Sequence, residues 1–489
     1  MMMRKLSDFM PQALVYSDMA VTGMTLDSRH VEPGFLFVAL AGRTVDGRQY
    51  IDSAQRAGAV AVLVEDSAFE AGTDITIPMI KVPNLAERLA EIAQRFYRSP
   101  FQSLSVVGVT GTNGKTSCSQ LVMQLLHALG NHCAVLGTTG WGVGAVTEPS
   151  THTTPDTVSL QAIGADLVAR GATALAMEIS SHALDQGRID GVEIDTAVFT
   201  NLSRDHLDYH ISMEAYGEAK RRLFGLLSLK NAVVNIDDAF GQAIVAKLNN
   251  DVRLLSYSLL DSTATLYVRA LSYSLAGVSG VLCYDNQECE FTSPLIGEFN
   301  VSNLLAAIAA VLADGYSLTD IVPHIGQLKP ARGRLEVVTG AHNITVMIDY
   351  AHTPDALEQV LKSVKKHCQQ SLWVVFGCGG DRDKGKRPLM ARAAQRFADR
   401  LVITSDNPRT ETPAEIVADV VAGIKVDKSV TVEVERQRAI ELAVSQAKPG
   451  DCVLIAGKGH ETYQDIMGVK HDFDDFEKVT AALAMRGEI

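Results

Sequence analysis

The sequence predicts an α/β fold in which parallel sheets carry helices on both faces, arranged in about three domains. Two observations lead to this prediction before any motif is considered. The chain has 489 residues, far more than one hydrophobic core usually holds. Short apolar runs that end in polar loops alternate with amphipathic stretches along most of the chain, a pattern typical of parallel sheets with crossover helices.

The N-terminal region, residues 1–99, predicts a smaller α/β domain. Residues 35–40 and 59–64 are apolar runs that indicate strands, with a helix at 51–57. An amphipathic helix with an N-cap and a closing proline is predicted at 84–100. A linker follows this helix, and we expect the first domain boundary there.

Two further α/β domains are expected. Over residues 100–330, the runs LSVVGV, ATALAM, TAVFT and AVVNI indicate a parallel sheet with flanking helices. Residues 254–292 alternate Tyr, Val, Leu and Ser and predict an antiparallel flap, and GEFNVSNLLAAIAAVLADGY predicts a helix. The same pattern returns over residues 331–489 as VMID, LWVVFG, RLVITS and CVLIA, which predicts a Rossmann-like C-terminal domain.

The charge balance argues against nucleic-acid binding. Lys and Arg number 44 against 57 Asp and Glu, a net charge of -13, whereas nucleic-acid-binding surfaces are usually basic. The seven cysteines form no CxxC pair and the first residues lack the apolar core of a signal peptide, so a cytoplasmic location is expected. The longest apolar run, 304–313, is too short to cross a bilayer. We expect a monomer that binds small molecules and does not insert into membranes.

A glycine-rich loop, TGTNGKTS, joins the first strand of the central domain to a helical stretch. Gly111 and Gly114 let backbone amides turn toward a phosphate, Lys115 can reach terminal phosphates, and Thr116 can bind magnesium. A strict phosphate loop has glycine where this chain has Val109. A plain glycine turn with a solvated lysine is the alternative, but the order of strand, GKT and helix favours ATP or GTP.

Polar residues follow two later strands of the same sheet. Glu178 comes directly after ATALAM, where a carboxylate could hold magnesium opposite Thr116. A helix-capping carboxylate is an equally good interpretation. His206 lies in NLSRDHLDYH after the next strand, and a single histidine is more often structural than a ligand. Ligands bind beyond the carboxyl ends of parallel strands, which gives both positions weight.

Six motifs occur in an order that resembles the Mur ligase superfamily of ATP-dependent amide-forming enzymes, over essentially the whole chain. They are TGTNGKT, SRDHLDYH, GEFNVSN, ARGRLE, DYAHTPDAL and FGCGGDRDKGKR. The phosphate loop of that family requires no glycine at the position of Val109. The resemblance implies that ATP phosphorylates a substrate carboxylate and that an amine then attacks the acyl phosphate to form an amide.

The resemblance also implies which residues carry this chemistry. The catalytic residues would be Lys115, Glu178, His206 and Lys220. The magnesium ligands would be Thr116, Glu178, His206 and Lys220. Lys220 would be carbamylated to N6-carboxylysine, an anion that suits magnesium, whereas its spacing alone favours a solvated lysine. The ATP contacts would be Gly111, Thr112, Asn113, Gly114, Lys115, Thr116, Ser117, Asn300, Arg334 and Asp349.

In the N-terminal domain, TLDSRHVEPGFLFVAL and GRTVDGRQYI resemble the uridine-nucleotide domain of members that add the third residue of the peptidoglycan stem peptide. The implied contacts with UDP-N-acetylmuramoyl-L-alanyl-D-glutamate are Leu26, Ser28, Arg43, Thr44, Val45, His152, Thr153, Thr154, Ser180, Gln186 and Arg188. His152 stands where relatives often carry asparagine, so this contact departs from the family pattern.

In the C-terminal domain, SDNPRTE resembles the motif of members that accept meso-diaminopimelate, and lysine-adding members depart from it. The implied contacts are Arg387, Asp406, Asn407, Pro408, Arg409, Gly457 and Glu461. Diaminopimelate ends in an amino-acid head, so a cation such as Arg409 suits its carboxylate and an acceptor such as Glu461 suits its ammonium. Taken alone, DNPR favours a proline turn with a surface salt bridge.

Other functions remain open on the sequence alone. A lysine-adding or folate polyglutamate-type ligase of the same superfamily would share the ATP site. A phosphate-loop ATPase that joins nothing would hydrolyse ATP without any amine. The GCGGD segment is a weak sign of a dehydrogenase, because the acidic ribose partner is missing at its usual spacing.

Overall fold

Parallel sheets flanked by helices make up most of the structure, so the predicted α/β fold class is confirmed. The structure is a computed structural model that describes residues 3–11, 14–42, 45–65, 74–150, 152–338 and 344–487. Contacts divide the chain into two units. The first comprises Met1–Lys115, Gly130–Ala232 and Ala243–Leu254, and the second comprises Thr116–Leu129, Val233–Gln242 and Leu255–Ile489.

The N-terminal part of the first unit contains a small parallel sheet, an antiparallel strand pair and two helices. The elements are β1 (Arg4–Lys5), β2 (Ala20–Val21), β3 (Gly23–Thr25), β4 (Phe35–Ala39), α1 (Ile51–Arg56), β5 (Ala61–Glu65), β6 (Met79–Val82) and α2 (Leu85–Tyr97). Strands β3 to β6 pair in parallel and in chain order, while β1 and β2 form a separate antiparallel pair. The apolar face of α2 packs with Leu36, Val38 and Leu63 in one buried core, as the amphipathic pattern predicts.

The central strands are β7 (Ser105–Thr110), β8 (Cys133–Gly137), β9 (Gly140–Val143), β10 (Ala174–Glu178), β11 (Thr196–Phe199), β12 (Asn231–Asn235) and β13 (Arg253–Ser258). The helices among them are α3 (Lys115–Ala128), α4 (Thr157–Ala169), α5 (Ser181–Asp185), α6 (Leu207–His210), α7 (Met213–Arg221) and α8 (Ala239–Val245). In the first unit the order is β11-β7-β10-β8-β9, parallel except for β9. The carboxyl ends of β7, β10 and β11 therefore share one edge.

The second unit contains a three-stranded antiparallel flap and two helices that follow it. The elements are β14 (Leu266–Ser274), β15 (Gly277–Tyr284), β16 (Gln287–Ser293), α9 (Glu298–Ala313) and α10 (Leu318–Ile325). Strands β14 to β16 pair as consecutive hairpins, so the antiparallel flap predicted at 254–292 is confirmed in its later part. The first part of that range belongs to β13, which pairs with β14 in parallel. Helix α9 is buried on nearly every side, in agreement with its continuous apolar sequence.

The C-terminal part of the second unit is a mostly parallel sheet between helices. Its elements are β17 (Glu336–Val338), β18 (Thr345–Asp349), α11 (Pro354–Lys365), β19 (Leu372–Phe376), α12 (Lys386–Phe397), β20 (Arg400–Ile403), α13 (Pro413–Val421), β21 (Val430–Val432), α14 (Arg436–Gln446), β22 (Cys452–Ala456), β23 (Tyr463–Ile466), β24 (Val469–Asp472) and α15 (Asp475–Gly487). The sheet order is β17-β18-β22-β19-β20-β21, with β17 antiparallel. Strand β23 forms an antiparallel hairpin with β24, and Ile466 of β23 makes an isolated parallel bridge with Arg409. Separate buried cores lie on its two faces.

The predicted element bounds agree with the structure to within a few residues, and three details differ. Glu178 is the last residue of β10 and does not follow the strand. Asn84 stands at the N-cap position of α2 in a left-handed conformation, without a side-chain capping hydrogen bond. The segment predicted as a linker after α2 contains a short 3-10 helix at Pro100–Ser103. No helix among the described residues is long and apolar enough to cross a membrane.

Candidate active site

The phosphate loop lies between the carboxyl end of β7 and the start of α3, as predicted. Gly111 and Gly114 both have positive φ angles, +149° and +87°. A Cβ on Gly111 would lie 1.9 Å from the Thr200 hydroxyl oxygen. Because both the backbone angle and the available space require glycine, the loop conformation depends on this residue.

Hydrogen bonds attach the loop to the chain that follows β11. The Thr112 amide donates to the Asn201 carbonyl at 2.8 Å, and the Asn113 amide donates to Asn201 Oδ1 at 3.0 Å. The Thr200 hydroxyl donates to the Asn113 carbonyl at 2.6 Å, and the Ser203 amide donates to the Thr112 hydroxyl at 3.0 Å. These bonds hold the loop in shape.

Two lysines point at the same carbonyl oxygen of this loop. Lys115 Nζ donates to the Gly111 carbonyl at 2.8 Å, and Lys220 Nζ donates to it at 2.7 Å. The solvated face that spacing alone favours for Lys220 is wrong, since only 1% of this residue is exposed. Burial, and secondly the charge of Lys115, lower the pKa of Lys220 well below its usual value. Both effects disfavour the charged form of this lysine.

Glu178 is held firmly at the end of β10. One carboxylate oxygen accepts the Thr138 amide at 2.8 Å and the other accepts the Thr138 hydroxyl at 3.2 Å. A Cβ on Gly137 would lie 2.0 Å from Glu178 Oε1, so this glycine makes room for the carboxylate. The helix-cap interpretation of Glu178 finds no support in these contacts.

The residues assigned to the muramoyl dipeptide form a network with Glu178. The Thr154 hydroxyl donates to the Glu178 carbonyl at 2.9 Å and accepts the Ser180 amide at 3.0 Å. Arg188 Nη1 donates to the Thr154 carbonyl at 3.0 Å, and its Nε donates to Gln186 Oε1 at 2.9 Å. Thr153 joins the same network, because its hydroxyl contacts the Thr138 hydroxyl at 2.9 Å.

His206 lies among other aromatic rings, and sequence reasoning missed two histidines of this cluster, His182 and His210. Its ring centroid is 4.9 Å from that of His182 and 6.0 Å from that of Tyr216. The His210 ring lies 5.4 Å from His182, and His210 Nε2 contacts the Ser181 hydroxyl at 2.9 Å. Burial lowers the pKa of both His182 and His210. The position of SSHAL directly after a buried strand was the available sequence signal.

The donor groups of the first unit suit magnesium in kind. Within the described ranges, no group of three or more His, Cys, Asp or Glu residues could hold a metal ion. Magnesium commonly binds through one or two carboxylates together with waters and substrate phosphates. One anchored carboxylate, Glu178, near a phosphate-type loop fits this coordination preference of magnesium.

The predicted nucleotide contacts of the second unit are also largely buried. Asp349 accepts the Leu335 and Ala351 amides at 2.8 Å each, and burial raises the pKa of its carboxyl group. The Arg334 guanidinium lies 5.0 Å from the centre of the Tyr350 ring. Asn300 donates to the Ile296 carbonyl at 2.8 Å. Thr116 and Ser117 are buried in the first turn of α3.

Arg387 and Arg409, both assigned to the amine, differ in their surroundings. Arg387 is completely buried. Its two terminal nitrogens donate to the Glu411 carboxylate at 3.0 and 2.8 Å, and one also donates to Asp419 at 2.8 Å. Its Nε has no hydrogen-bond partner among the described residues. Arg409 has a φ of +51° and donates to the Gly380 carbonyl at 2.7 Å.

The remaining amine residues meet where the chain leaves β20 and β22. Asn407 Nδ2 donates to Glu461 Oε2 at 2.7 Å, and the Asn407 amide donates to Asp406 Oδ1 at 2.7 Å. A Cβ on Gly457 would lie 2.5 Å from Asp406 Oδ2. Pro408 is buried in the same loop. Sequence reasoning missed Lys458, a fully buried lysine in this cluster, because a lysine between two glycines resembles a solvated turn.

The residues assigned to the uridine part are spread over the N-terminal sheet. Leu26 packs against the core and Ser28 begins a short 3-10 helix after β3. Val45 is exposed, and its carbonyl accepts the Gly42 amide at 3.0 Å. Arg43 and Thr44 lie outside the described residues. His152 is exposed, and its carbonyl accepts the Ser150 hydroxyl at 2.6 Å.

Three family models match most of the chain. They are the Mur ligase family catalytic domain at residues 20–97, the Mur ligase middle domain at 109–311 and the Mur ligase glutamate ligase domain at 333–459. The chain belongs to the Mur ligase family. The resemblance inferred from the motifs is thereby confirmed, and with it the assignment to the ligases.

Individual relatives match this chain over nearly their full length. The UDP-N-acetylmuramoyl-L-alanyl-D-glutamate--2,6-diaminopimelate ligase of Pseudomonas aeruginosa is 48% identical over 479 residues, 98% of each chain. The enzyme of the same name from Coxiella burnetii is 43% identical over 471 residues, 96% of each chain. A solved structure with that name covers 99% of this chain and 100% of its own, with a TM-score of 0.73 and 41% identity.

More distant members share the fold. A MurF ligase from Thermotoga maritima, solved in complex with ADP, has a TM-score of 0.66 and 16% identity over 96% of this chain and 98% of its own. At that identity the similarity concerns architecture alone. The two chains therefore share an overall fold at low sequence identity.

Proposed function

We propose that this protein is an ATP-dependent ligase that joins meso-diaminopimelate to UDP-N-acetylmuramoyl-L-alanyl-D-glutamate in peptidoglycan precursor synthesis. The observation that carries the proposal is the hydrogen-bonded network in which Glu178, Thr154, Ser180 and Arg188 adjoin one another at the edge of the sheet that holds the phosphate loop. Identity of 48% over 98% of a diaminopimelate ligase supports it.

ATP would bind at the loop between β7 and α3. Lys115 and Lys220 both point at the Gly111 carbonyl, and the Lys115 ammonium could turn to a phosphate that enters the loop. Magnesium, when bound through Thr116, Glu178, His206 and a carbamylated Lys220, would neutralise the phosphate oxygens. Asn300, Arg334 and Asp349 are further proposed contacts with ATP, and Arg334 is suited to phosphate.

Carbamylation of Lys220 has a physical basis in its surroundings. A lysine amine attacks carbon dioxide only in its neutral form, and burial lowers the pKa of Lys220. The product is an anion, which would replace the unfavourable proximity of two cations by an attractive pair with Lys115. A carbamate oxygen is also a suitable magnesium ligand.

The reaction would proceed in two steps. The glutamate carboxylate attacks the γ-phosphorus of ATP, an acyl phosphate forms and ADP leaves. The neutral amine of diaminopimelate then attacks the acyl carbon, the C–O bond to phosphate breaks, and an amide and inorganic phosphate result. Lys115 would stabilise the charge that develops on the phosphate oxygens, while Arg188, Thr153 and Thr154 would hold the dipeptide.

The distal head of diaminopimelate would be recognised by both charges. Arg409 supplies the cation for its carboxylate, with Arg387 contributing through its unpartnered Nε. Asp406, Glu461 and the Gly457 carbonyl supply acceptors for its ammonium. Lysine lacks the distal carboxylate and would leave Arg409 unpaired, at a cost on the order of several kcal/mol.

The domain assignment is part of the same proposal. Residues 1–99 would bind the uridine nucleotide, 100–330 ATP and 331–489 the amine, and the three matched models fall within these ranges. We also propose that the enzyme is a cytoplasmic monomer, a setting consistent with the free cysteines of the described residues.

Phosphate release tests the proposal directly. The purified protein is supplied with ATP, magnesium and UDP-N-acetylmuramoyl-L-alanyl-D-glutamate, and diaminopimelate is compared with lysine. We expect release that depends on diaminopimelate and is about a hundredfold or more slower with lysine. Equal rates with both amines would refute the amine assignment, and release that needs no amine would indicate a simple ATPase.

A further inference from the structure

Lys458 is a buried cation with three acceptors in the second unit. It is completely buried, although it lies between two glycines directly after β22. Its Nζ donates to Asn407 Oδ1 at 3.2 Å, to Glu461 Oε2 at 3.2 Å and to the Tyr463 carbonyl. All three hydrogens of the ammonium are therefore used within the protein, and none remains for a ligand.

The bonds around Lys458 form a closed arrangement. Asn407 Nδ2 donates to the same Glu461 oxygen that accepts from Lys458, at 2.7 Å. Asn407 Oδ1 also accepts the Asp465 amide at 2.9 Å. Both ends of the Asn407 side-chain amide are thus occupied, so this side chain has one favourable orientation. A largely buried network of hydrogen bonds of this kind fixes the groups it contains.

This network joins three segments of the chain. Asn407 belongs to the loop after β20 and Glu461 to the loop after β22. Tyr463 begins strand β23 of the hairpin that β23 and β24 form. Further bonds run beside it, since the Arg409 amide donates to the Asp465 carbonyl at 2.9 Å and the Met467 amide donates to the Arg409 carbonyl at 2.7 Å. The backbone of Arg409 is therefore held by the hairpin.

We propose that Lys458 is a positioning residue for recognition of the amine substrate: its ammonium orients Asn407 and Glu461 and fixes the hairpin against the backbone of Arg409. Lys458 contacts no substrate itself in this proposal, which rests on the function proposed above. Methionine at this position would fill the same space without charge. Glu461 would then lose its cation, and the carboxylate would turn toward solvent, since its side chain is already 20% exposed.

The test compares Lys458→Met with Lys470→Met by steady-state kinetics on the complete enzyme. Lys470 is exposed on the same hairpin and lies 4.0 Å from the centre of the Tyr463 ring, so it is a matched lysine outside the network. We expect Lys458→Met to raise the KM for diaminopimelate about tenfold or more. The KM for ATP and for the UDP substrate should change less than about twofold, and Lys470→Met should behave as the wild type.

Each outcome decides the matter. Equal increases in all three KM values, or an unchanged KM for diaminopimelate, would overturn the proposal. Should Lys458→Met fail to fold, as judged by ATP-dependent thermal shift, Lys458→Gln is measured instead. Failure of both variants to fold would make Lys458 a folding residue and would also overturn the proposal. Absence of diaminopimelate turnover in the wild type would instead refute the proposed function, so the two failures are distinguishable.

Discussion

Burial changes what a single lysine can do, and Lys220 is the clearest case. It lies in a helix whose other charged residues face solvent, yet it is buried beside the phosphate loop with its Nζ 4.4 Å from the centre of the Tyr216 ring. A buried ammonium next to a second cation is unfavourable, so the equilibrium shifts to the free amine. The residue that appears solvated in sequence becomes the one suited to react with carbon dioxide.

We expect Lys220 to carry a labile carboxyl group. Incubation with 13C-bicarbonate should give one carbamate carbon signal in the NMR spectrum of the wild type, and the signal should be absent from Lys220→Arg. Because arginine keeps a cation and forms no carbamate, this variant should lose activity at least about a hundredfold. A wild-type signal that persists in Lys220→Arg, or full activity of that variant, would contradict the assignment.

Cys368 offers a second test at the residue scale, away from the ligands. A hydrogen bond from the thiol of Cys452 lowers the pKa of Cys368 to about 7, while the same interaction raises the pKa of Cys452. Since the thiolate is the reactive form, the rate of alkylation by iodoacetamide should rise with pH and reach half its plateau near pH 7.

The assignment of that fast phase is checked with two serine variants. Cys368→Ser should remove it, whereas Cys289→Ser, at another partly buried cysteine, should retain it. A midpoint close to pH 9 in the wild type would show that Cys452 does not stabilise the thiolate.

The sequence predicted which residue types form the candidate site and in what order they occur along the chain. It did not predict which charged side chains pair with one another. The glycines at 111 and 114 were identifiable because a phosphate loop needs their backbone freedom. The double ion pair of Arg387 was not, because Glu411 and Asp419 lie 24 and 32 residues away in sequence. Lys458 was missed because a lysine between two glycines resembles a solvated turn. Burial of a charged residue depends on distant partners, which a single sequence does not reveal.

At the scale of elements, the phosphate loop depends on the junction between β7 and α3. Replacement of Gly111 by alanine would place a Cβ 1.9 Å from the Thr200 hydroxyl oxygen and impose a side chain at φ +149°. The loop would have to move, and with it the carbonyl that accepts both Lys115 and Lys220. We expect Gly111→Ala to lower kcat/KM for ATP at least about a hundredfold.

Gly225 provides the control for that substitution. It ends a short 3-10 helix in the same unit, and an added Cβ would meet no atom within 4 Å. Gly225→Ala should therefore keep its kinetic constants within about twofold and its melting temperature within a few degrees. Comparable losses in both variants would show that the effect is general instability and not a change in the loop.

The elements themselves were well predicted where the pattern was strong. The strand predicted at 35–40 is Phe35–Ala39, and the buried runs LWVVFG and CVLIA became Leu372–Phe376 and Cys452–Ala456. Short and exposed strands such as Val430–Val432 and the hairpin at 463–472 carried too few apolar residues to be predicted. The order of the strands in each sheet could not be predicted either, because strand pairing is set by tertiary packing.

At the scale of the whole molecule, an acidic chain must bind anions by local means. The net charge is -13, so long-range attraction contributes little to capture of ATP or of a UDP-linked acid. We propose that anchored cations such as Lys115, Arg188 and Arg334 supply the attraction locally. Binding of both anions should therefore depend on these individual residues more than on ionic strength.

The ligase mechanism makes a prediction that no single residue tests. If an acyl phosphate forms before the amine attacks, hydroxylamine should replace diaminopimelate as the nucleophile and yield a hydroxamate and phosphate. Mass spectrometry should detect the hydroxamate of the UDP substrate only when ATP, magnesium and that substrate are all present, and Gly111→Ala should suppress it. Diaminopimelate should compete with hydroxylamine and reduce the yield. Normal ligation without any trapped hydroxamate would contradict this prediction, because it would show that an added nucleophile reaches no acyl phosphate.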